Sequence, residues 1–245
     1  MVRNIKSINS EKAVQKTFKH GRALYVDDDL YACLQFDFNR LDVVICDEDG
    51  TVLGRPVLTA SLNPATQECV GWDVSMGTPC AEKLVSVVKQ AITGATDSPS
   101  SGGKIRAFNI DNGAEMVSSR IQNIANTLGI SIRHVPPGQP NAKAFIERFF
   151  RAVDLNFVQM LPATTKGALE ALGDYKPKQH ANLTLSQLRK KFRKWLEIYH
   201  NTYHQALYMS PHQKRKVLIK KCPSPERYTA KDLTVPGTSA KSSRH

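Results

Sequence analysis

With 245 residues, 41% of them hydrophobic and 23% charged, the chain can bury a full core, which excludes disorder throughout. No apolar run approaches the ~20 residues that span a bilayer, Met1–Lys12 lacks the apolar stretch of a signal peptide, and the 5 cysteines form no C-x-x-C pair. Secretion, membrane insertion, a disulfide framework and a zinc knuckle are therefore not expected, and a cytoplasmic setting, nucleoid-associated in a bacterium, is. The net charge of +12 gathers at one end, with 16 basic and 3 acidic residues over Tyr175–His245 against 12 and 15 over Asp37–Asp174. That is how a chain would look if it gripped a polyanion with one part and carried a carboxylate-lined site in another, although a solvated basic face has the same composition.

In chain order, Leu30–Asn39 alternates apolar and polar residues and predicts a strand. Asp42–Asp47, Arg55–Leu62 and Glu68–Met76 predict three more, with turns at Asp49-Gly50 and Asn63-Pro64, so an antiparallel meander is expected. The period then changes. Thr78 and Pro79 can cap and start a helix whose Leu84, Val87, Val88, Ala91 and Ile92 share one face. After a linker at Thr96–Gly103, the pattern gives a strand at Ile105–Ile110, a helix at Ser118–Leu128 stopped by Gly129, and a strand at Ser131–Val135. This succession predicts an α/β fold, a mixed sheet with helices on its faces.

His134–Pro140 cannot be regular structure, and Asn141 is placed to cap a long helix running to about Met160, with Phe145, Phe149, Val153 and Phe157 on its apolar stripe. Thr184–His204 is amphipathic, with Leu185, Leu188, Phe192, Leu196 and Tyr199 inward and a basic outer face. The boundaries expected are an N-terminal arm at 1–29, a core at 30–174, a basic amphipathic helical extension at 175–221 and a flexible tail at 222–245.

Three acids stand on separate elements: Asp37 within the first strand, Asp111 just after a later one, and Glu147 in the long helix. Phosphodiester transfer uses two divalent metals held by hard oxygen ligands, so carboxylates converging from separate elements are the donor set such chemistry needs. The runs FDFN at Asp37, IDNGAE at Asp111 and PPGQPNAKAFIERFF through Glu147, with 35 residues between the last two acids, resemble the DDE signature of retroviral-integrase-type transposases, above all the TnsB, TniA and Mu transposase branch. GRPVLTASLN and YHNTYHQALYMSPHQK resemble the same branch, so the likeness spans about Leu30 to Lys214.

The resemblance implies an RNase H-like five-stranded mixed sheet and Mg²⁺-dependent DNA strand cleavage and transfer, with Mn²⁺ able to substitute. Asp37, Asp111 and Glu147 would then be the catalytic residues and metal ligands. It also implies action on transposon ends and target DNA as a homo-multimer, with an ATPase as target-selection partner. An RNase H-like nuclease without joining activity and a non-catalytic DNA-assembly protein are the rival readings. Asn63 stands where this branch commonly carries Asp, a change expected to be structural. The family's N-terminal end-binding domains and C-terminal barrel have no room here, so a catalytic fragment or a reduced relative is expected.

Candidate DNA-contacting cations are Lys143, Arg148 and Arg151 on the long helix, Arg189, Lys190, Arg193 and Lys194 on the next, and Lys214, Arg215 and Lys216 beyond it. Lys143 and Arg151, four residues either side of Glu147, could equally pair with it. His200, His204 and His212 have spacing that can bind zinc, but with only Glu197 nearby a packed or DNA-facing helix end is the simpler account.

Overall fold

The computed structural model of the chain describes residues 29–93, 103–110, 119–134, 143–165, 177–221 and 228. In chain order its elements are β1 (Leu34–Arg40), β2 (Ile45–Cys46), β3 (Val52–Gly54), β4 (Val57–Asn63), β5 (Glu68–Ser75), α1 (Ala81–Thr93), β6 (Ala107–Ile110), α2 (Ser119–Leu128), β7 (Ser131–His134), α3 (Ala144–Asn156), α4 (Leu185–Asn201) and α5 (Pro211–Lys221). Five strands form one sheet in the order β5-β4-β1-β6-β7. β1 pairs antiparallel with β4, and β4 with β5, whereas β6 runs parallel to β1 and β7 parallel to β6. This is the mixed five-stranded, helix-flanked sheet of an RNase H-like fold.

The period-2 alternation of β1 sends its residues to the two faces of the sheet. Leu34 and Phe36 join Val70, Phe108 and Ile110 beneath the apolar stripes of α1 and α2. Phe36 meets Phe108 edge to face across the β1–β6 pair, with ring centroids 5.0 Å apart. On the opposite face, Leu58, Ala60 and Leu62 of β4 pack under α3 and α4 through Phe145, Phe149, Val153, Phe192 and Leu196. Thus α4 shares a core with the sheet and α3.

Helix ends follow local chemistry. Thr184 caps α4 in a capping box, its hydroxyl accepting from the Gln187 amide while the Gln187 side chain accepts from the Thr184 amide. Gly129, at φ 68°, ends α2 in the left-handed region. Gly71 is required for another reason: a Cβ there would stand 2.5 Å from the Val87 carbonyl oxygen of α1. Gly71→Ala is expected to push α1 off the sheet and cost about 1–3 kcal/mol, measured by urea denaturation.

The structure corrects several sequence expectations. Asp42–Asp47 is no strand of the main sheet: β1 pairs directly with β4, Ile45 and Cys46 pair with β3 in a separate two-stranded sheet, and Val43 and Cys46 make single bridges to Thr164 and Thr184. The reason is competition for backbone partners. The amides of Val44 and Cys46 donate to the carbonyls of Ala163 and Leu183, so the segment is tied beneath the chain that links α3 to α4. The helix expected from Pro79 begins at Ala81, and that expected to reach Met160 stops at Asn156, followed by a 3-10 turn at Val158–Met160. A separate helix, α5, follows the end of α4 at Asn201. Asn141 lies outside the described residues, as does most of the Thr96–Gly103 linker. No helix among the described residues is long and apolar enough to cross a membrane.

Candidate active site

Beneath α3 the central strand is polar where its neighbour β4 is apolar: Gln35, Asp37 and Asn39 occupy alternate positions of β1, and each is held by α3 or the residue before it. Polar groups under a helix are costly unless satisfied. The buried Gln35 carboxamide accepts from the Ile146 amide at 3.0 Å, taking one of the N–H groups that a helix N-terminus leaves without an internal partner. Asn39 donates to the Asp154 carboxylate at 3.2 Å. Asp37 accepts from the Phe38 amide at 2.9 Å through Oδ1, and its Oδ2 lies 3.1 Å from the ammonium of Lys143.

Lys143 is the residue from which α3 departs. Its side chain is almost wholly buried, and its carbonyl accepts from the Glu147 amide at 3.1 Å. Glu147 therefore sits in the first turn of α3, one turn beyond the residue that holds Asp37, with its own side chain exposed. The positive end of the helix dipole adds to the attraction for both carboxylates. Asp111 lies outside the described residues; β6, which runs parallel to β1, ends at Ile110, one residue before it.

Carboxylate oxygens are the donor type that a hard divalent cation takes. Asp37 already has a positive charge against one oxygen, and Glu147 offers an exposed carboxylate from a neighbouring element. Among the described residues, no three His, Cys, Asp or Glu side chains are gathered closely enough to hold a metal by themselves. Because Lys143 and a metal would compete for Asp37, Lys143→Met is expected to melt earlier in metal-free buffer and to gain more melting temperature from Mn²⁺ than wild type does. Equal gains in a thermal-shift titration would refute the competition.

The expected DNA-facing cations divide. Arg148 and Arg151 are exposed on α3, Arg148 resting over the Phe145 ring at 5.8 Å. Arg189 is committed to β5, donating to the Val74 carbonyl at 2.7 Å and the Asp73 carboxylate at 3.0 Å. Lys190, Arg193 and Lys194 line a groove of about 1280 Å³ with Lys89 of α1, and Asp47, Glu48, Asp73 and Glu197 temper its charge. Lys216 is exposed and Lys214 half-buried.

Arg215 is a correction: its side chain is buried and stands 3.2 Å from the buried carboxylate of Glu68, so it offers no surface to a phosphate. Its neighbours explain why. Arg215 falls on the inner side of α5 with Leu218, while Lys216 falls outside. His200 is packed, its Nε2 accepting from the Cys69 amide at 3.1 Å, and burial pushes it down to about 3, with Arg215, His212 and His204 adding to the effect. His212 Nδ1 is 3.5 Å from Glu68.

Asn63 is structural in its contacts, donating to the Leu30 carbonyl at 2.8 Å and accepting from the Ala65 amide at 3.0 Å. Asp42, on the segment after β1, is paired with Arg55. Sequence reasoning missed Gln35, Asn39 and Asp154; the available signal was a run of polar residues at alternate positions of a strand flanked by aromatic ones.

The profile of the TnsB C-terminal domain matches residues 35–163. The transposase for transposon Tn552 of Staphylococcus aureus is 30% identical over 130 residues, which are 52% of this chain and 27% of that protein. Among solved structures, the catalytic core domain of BIV integrase is similar at 14% identity and a TM-score of 0.46, over 76% of this chain and 95% of that one. The HTLV-2 integrase catalytic core domain, solved in complex with magnesium, is similar at 12% identity and a TM-score of 0.47, over 76% and 96%. With the profile running from β1 to beyond the end of α3, across the strand of Asp37 and the helix of Glu147, the chain belongs to the TnsB C-terminal domain family.

Proposed function

We propose that the chain is the catalytic core of a DNA transposase, cleaving DNA at a 3′ end and transferring the freed 3′-hydroxyl to a target strand, with Asp37, Asp111 and Glu147 as metal ligands. The observation that carries this reading is the set of contacts from Gln35, Asp37 and Asn39 to α3 and Lys143, which lays the helix of Glu147 on the strand of Asp37. Bound at the three carboxylates, two Mg²⁺ ions would supply a deprotonated attacking oxygen and neutralise charge on the leaving oxygen. The chain's own residues do the positioning. Lys143 keeps Asp37 in place, Gln35 holds the first turn of α3, and the exposed Arg148, Arg151, Lys190, Arg193, Lys194 and Lys216 offer phosphate contacts. Assembly as a multimer on paired DNA ends, an ATPase partner and a cytoplasmic setting belong to the same reading.

The test is strand resolution of a pre-branched DNA that mimics the joined product, with Mg²⁺ or Mn²⁺. Metal-dependent resolution supports the reading, and a joining assay on a free 3′-hydroxyl separates it from a nuclease that only cuts. One observation favours a second reading, a DNA-assembly protein without catalysis: the Lys143 ammonium already neutralises Asp37. DNA binding with neither resolution nor metal binding would select that reading.

A further inference from the structure

Beside the strip of α3 that bears Glu147 lies a second surface with a different composition. A groove of about 960 Å³ runs between Arg148, Ala152 and Asn156 of α3 and the C-terminal part of α4 with the loop that follows it. Its volume suits a ligand of nucleotide size. Trp195 and Tyr199 are stacked along its wall with ring centroids 5.3 Å apart, and Tyr203 and Tyr208 also line it, 61% and 78% exposed. Aromatic rings left this open in water serve the fold little.

Two further features point to a ligand. Gln67 lines the groove from the β4–β5 turn, is 5% exposed, and its Nε2 has no hydrogen-bond partner among the described residues. A buried amide donor without a partner is uncommon and marks a place where a partner is missing. Tyr208 holds φ at 55°, and Gln67 at 58°, in the region that side chains other than those of Gly and Asn rarely enter. Strain of this kind, held at an exposed aromatic residue, concentrates at functional sites.

Flat rings for stacking, amides able to meet a base edge and a single permanent charge, the Arg148 guanidinium, make a lining suited to a nucleobase and its phosphate. A peptide or lipid occupant would find no such match of rings, amides and one cation. We propose that this groove receives an unpaired nucleobase from the DNA end being processed, stacked on Tyr203 and Tyr208 with its phosphate at Arg148. The inference rests on the DNA-processing reading and deepens it: Arg148 follows Glu147 in α3, so a base captured here would hold a frayed end against the helix that carries Glu147.

The test is fluorescence anisotropy without metal, comparing a blunt duplex with one of the same sequence carrying three unpaired nucleotides at one end. Wild type is expected to prefer the unpaired end by about fivefold or more, the lower bound for stacking one base. Tyr203→Ala and Tyr208→Gly should each bring the ratio of the two affinities toward one; Gly accommodates the backbone of Tyr208, so that variant keeps the loop. Equal affinity of wild type for both DNAs overturns the proposal, as does a preference that survives both substitutions. Self-association that Tyr203→Ala abolishes would overturn it in favour of a second copy in the groove. Loss of blunt-duplex binding by wild type would be a failure of the DNA-processing reading itself, and the blunt arm reports it separately.

Discussion

Glu147→Gln is expected to reduce the resolution of branched DNA by about two orders of magnitude or more, since losing one metal ligand forfeits several kcal/mol of transition-state stabilisation. The substitution is isosteric and the side chain is exposed, so the melting temperature should not move. Asp37→Asn should lose activity to the same degree but for two reasons that calorimetry separates. It removes a proposed metal ligand, and it takes away the carboxylate 3.1 Å from the buried Lys143 ammonium, so this variant should also melt earlier. Single-turnover resolution beside a melting curve distinguishes the two. A Glu147→Gln protein that resolves DNA at the wild-type rate would end the assignment of Glu147 as a ligand.

The second large effect is on stability and lies away from the acids. Arg215→Met removes the guanidinium that faces Glu68 and leaves the buried carboxyl with His212 as its remaining basic neighbour, a loss of about 1–3 kcal/mol because Glu68 can take up a proton. Glu68→Gln combined with Arg215→Met should recover much of it, because both charges then leave together. Chemical denaturation of the two single variants and the double variant measures the coupling.

The same cluster sets a pH dependence. Burial pushes the Glu68 carboxyl up to about 7 against the pull of Arg215. Its contribution to stability is therefore complete below its ordinary value of 4.5 and is lost as pH rises to about 7. His200 runs the other way: burial holds it at about 3, so its contribution is complete above 6.5 and is lost as pH falls toward 3. Between 4.5 and 6.5 the two oppose each other, and below 4.5 only the loss at His200 remains. Relative to wild type, Glu68→Gln should lose melting temperature steadily from pH 6.5 downward rather than holding to about 4.5. Parallel curves for the two proteins would show that Glu68 titrates normally.

What the sequence by itself determined is which face each residue takes. Alternation through Phe36, Asp37 and Phe38 assigned the aromatic rings to one face of the sheet and the acid to the other, and the 3.6-residue period of α1, α3 and α4 named their buried stripes. The order of strands and helices was legible for the same reason, because local periodicity is written in neighbouring residues.

Only the tertiary structure decided which partner each face meets. Lys143, read from helical spacing as a partner of Glu147 or of a phosphate, pairs with Asp37 more than a hundred positions away. Arg215, one of three consecutive basic residues, is buried because helix rotation turns it alone toward Glu68. Asp42–Asp47 has every local mark of a sheet strand, yet the amides of Val44 and Cys46 find Ala163 and Leu183. Periodicity encodes the direction of a side chain, whereas the choice among distant partners depends on which of them the folded chain brings within hydrogen-bonding reach.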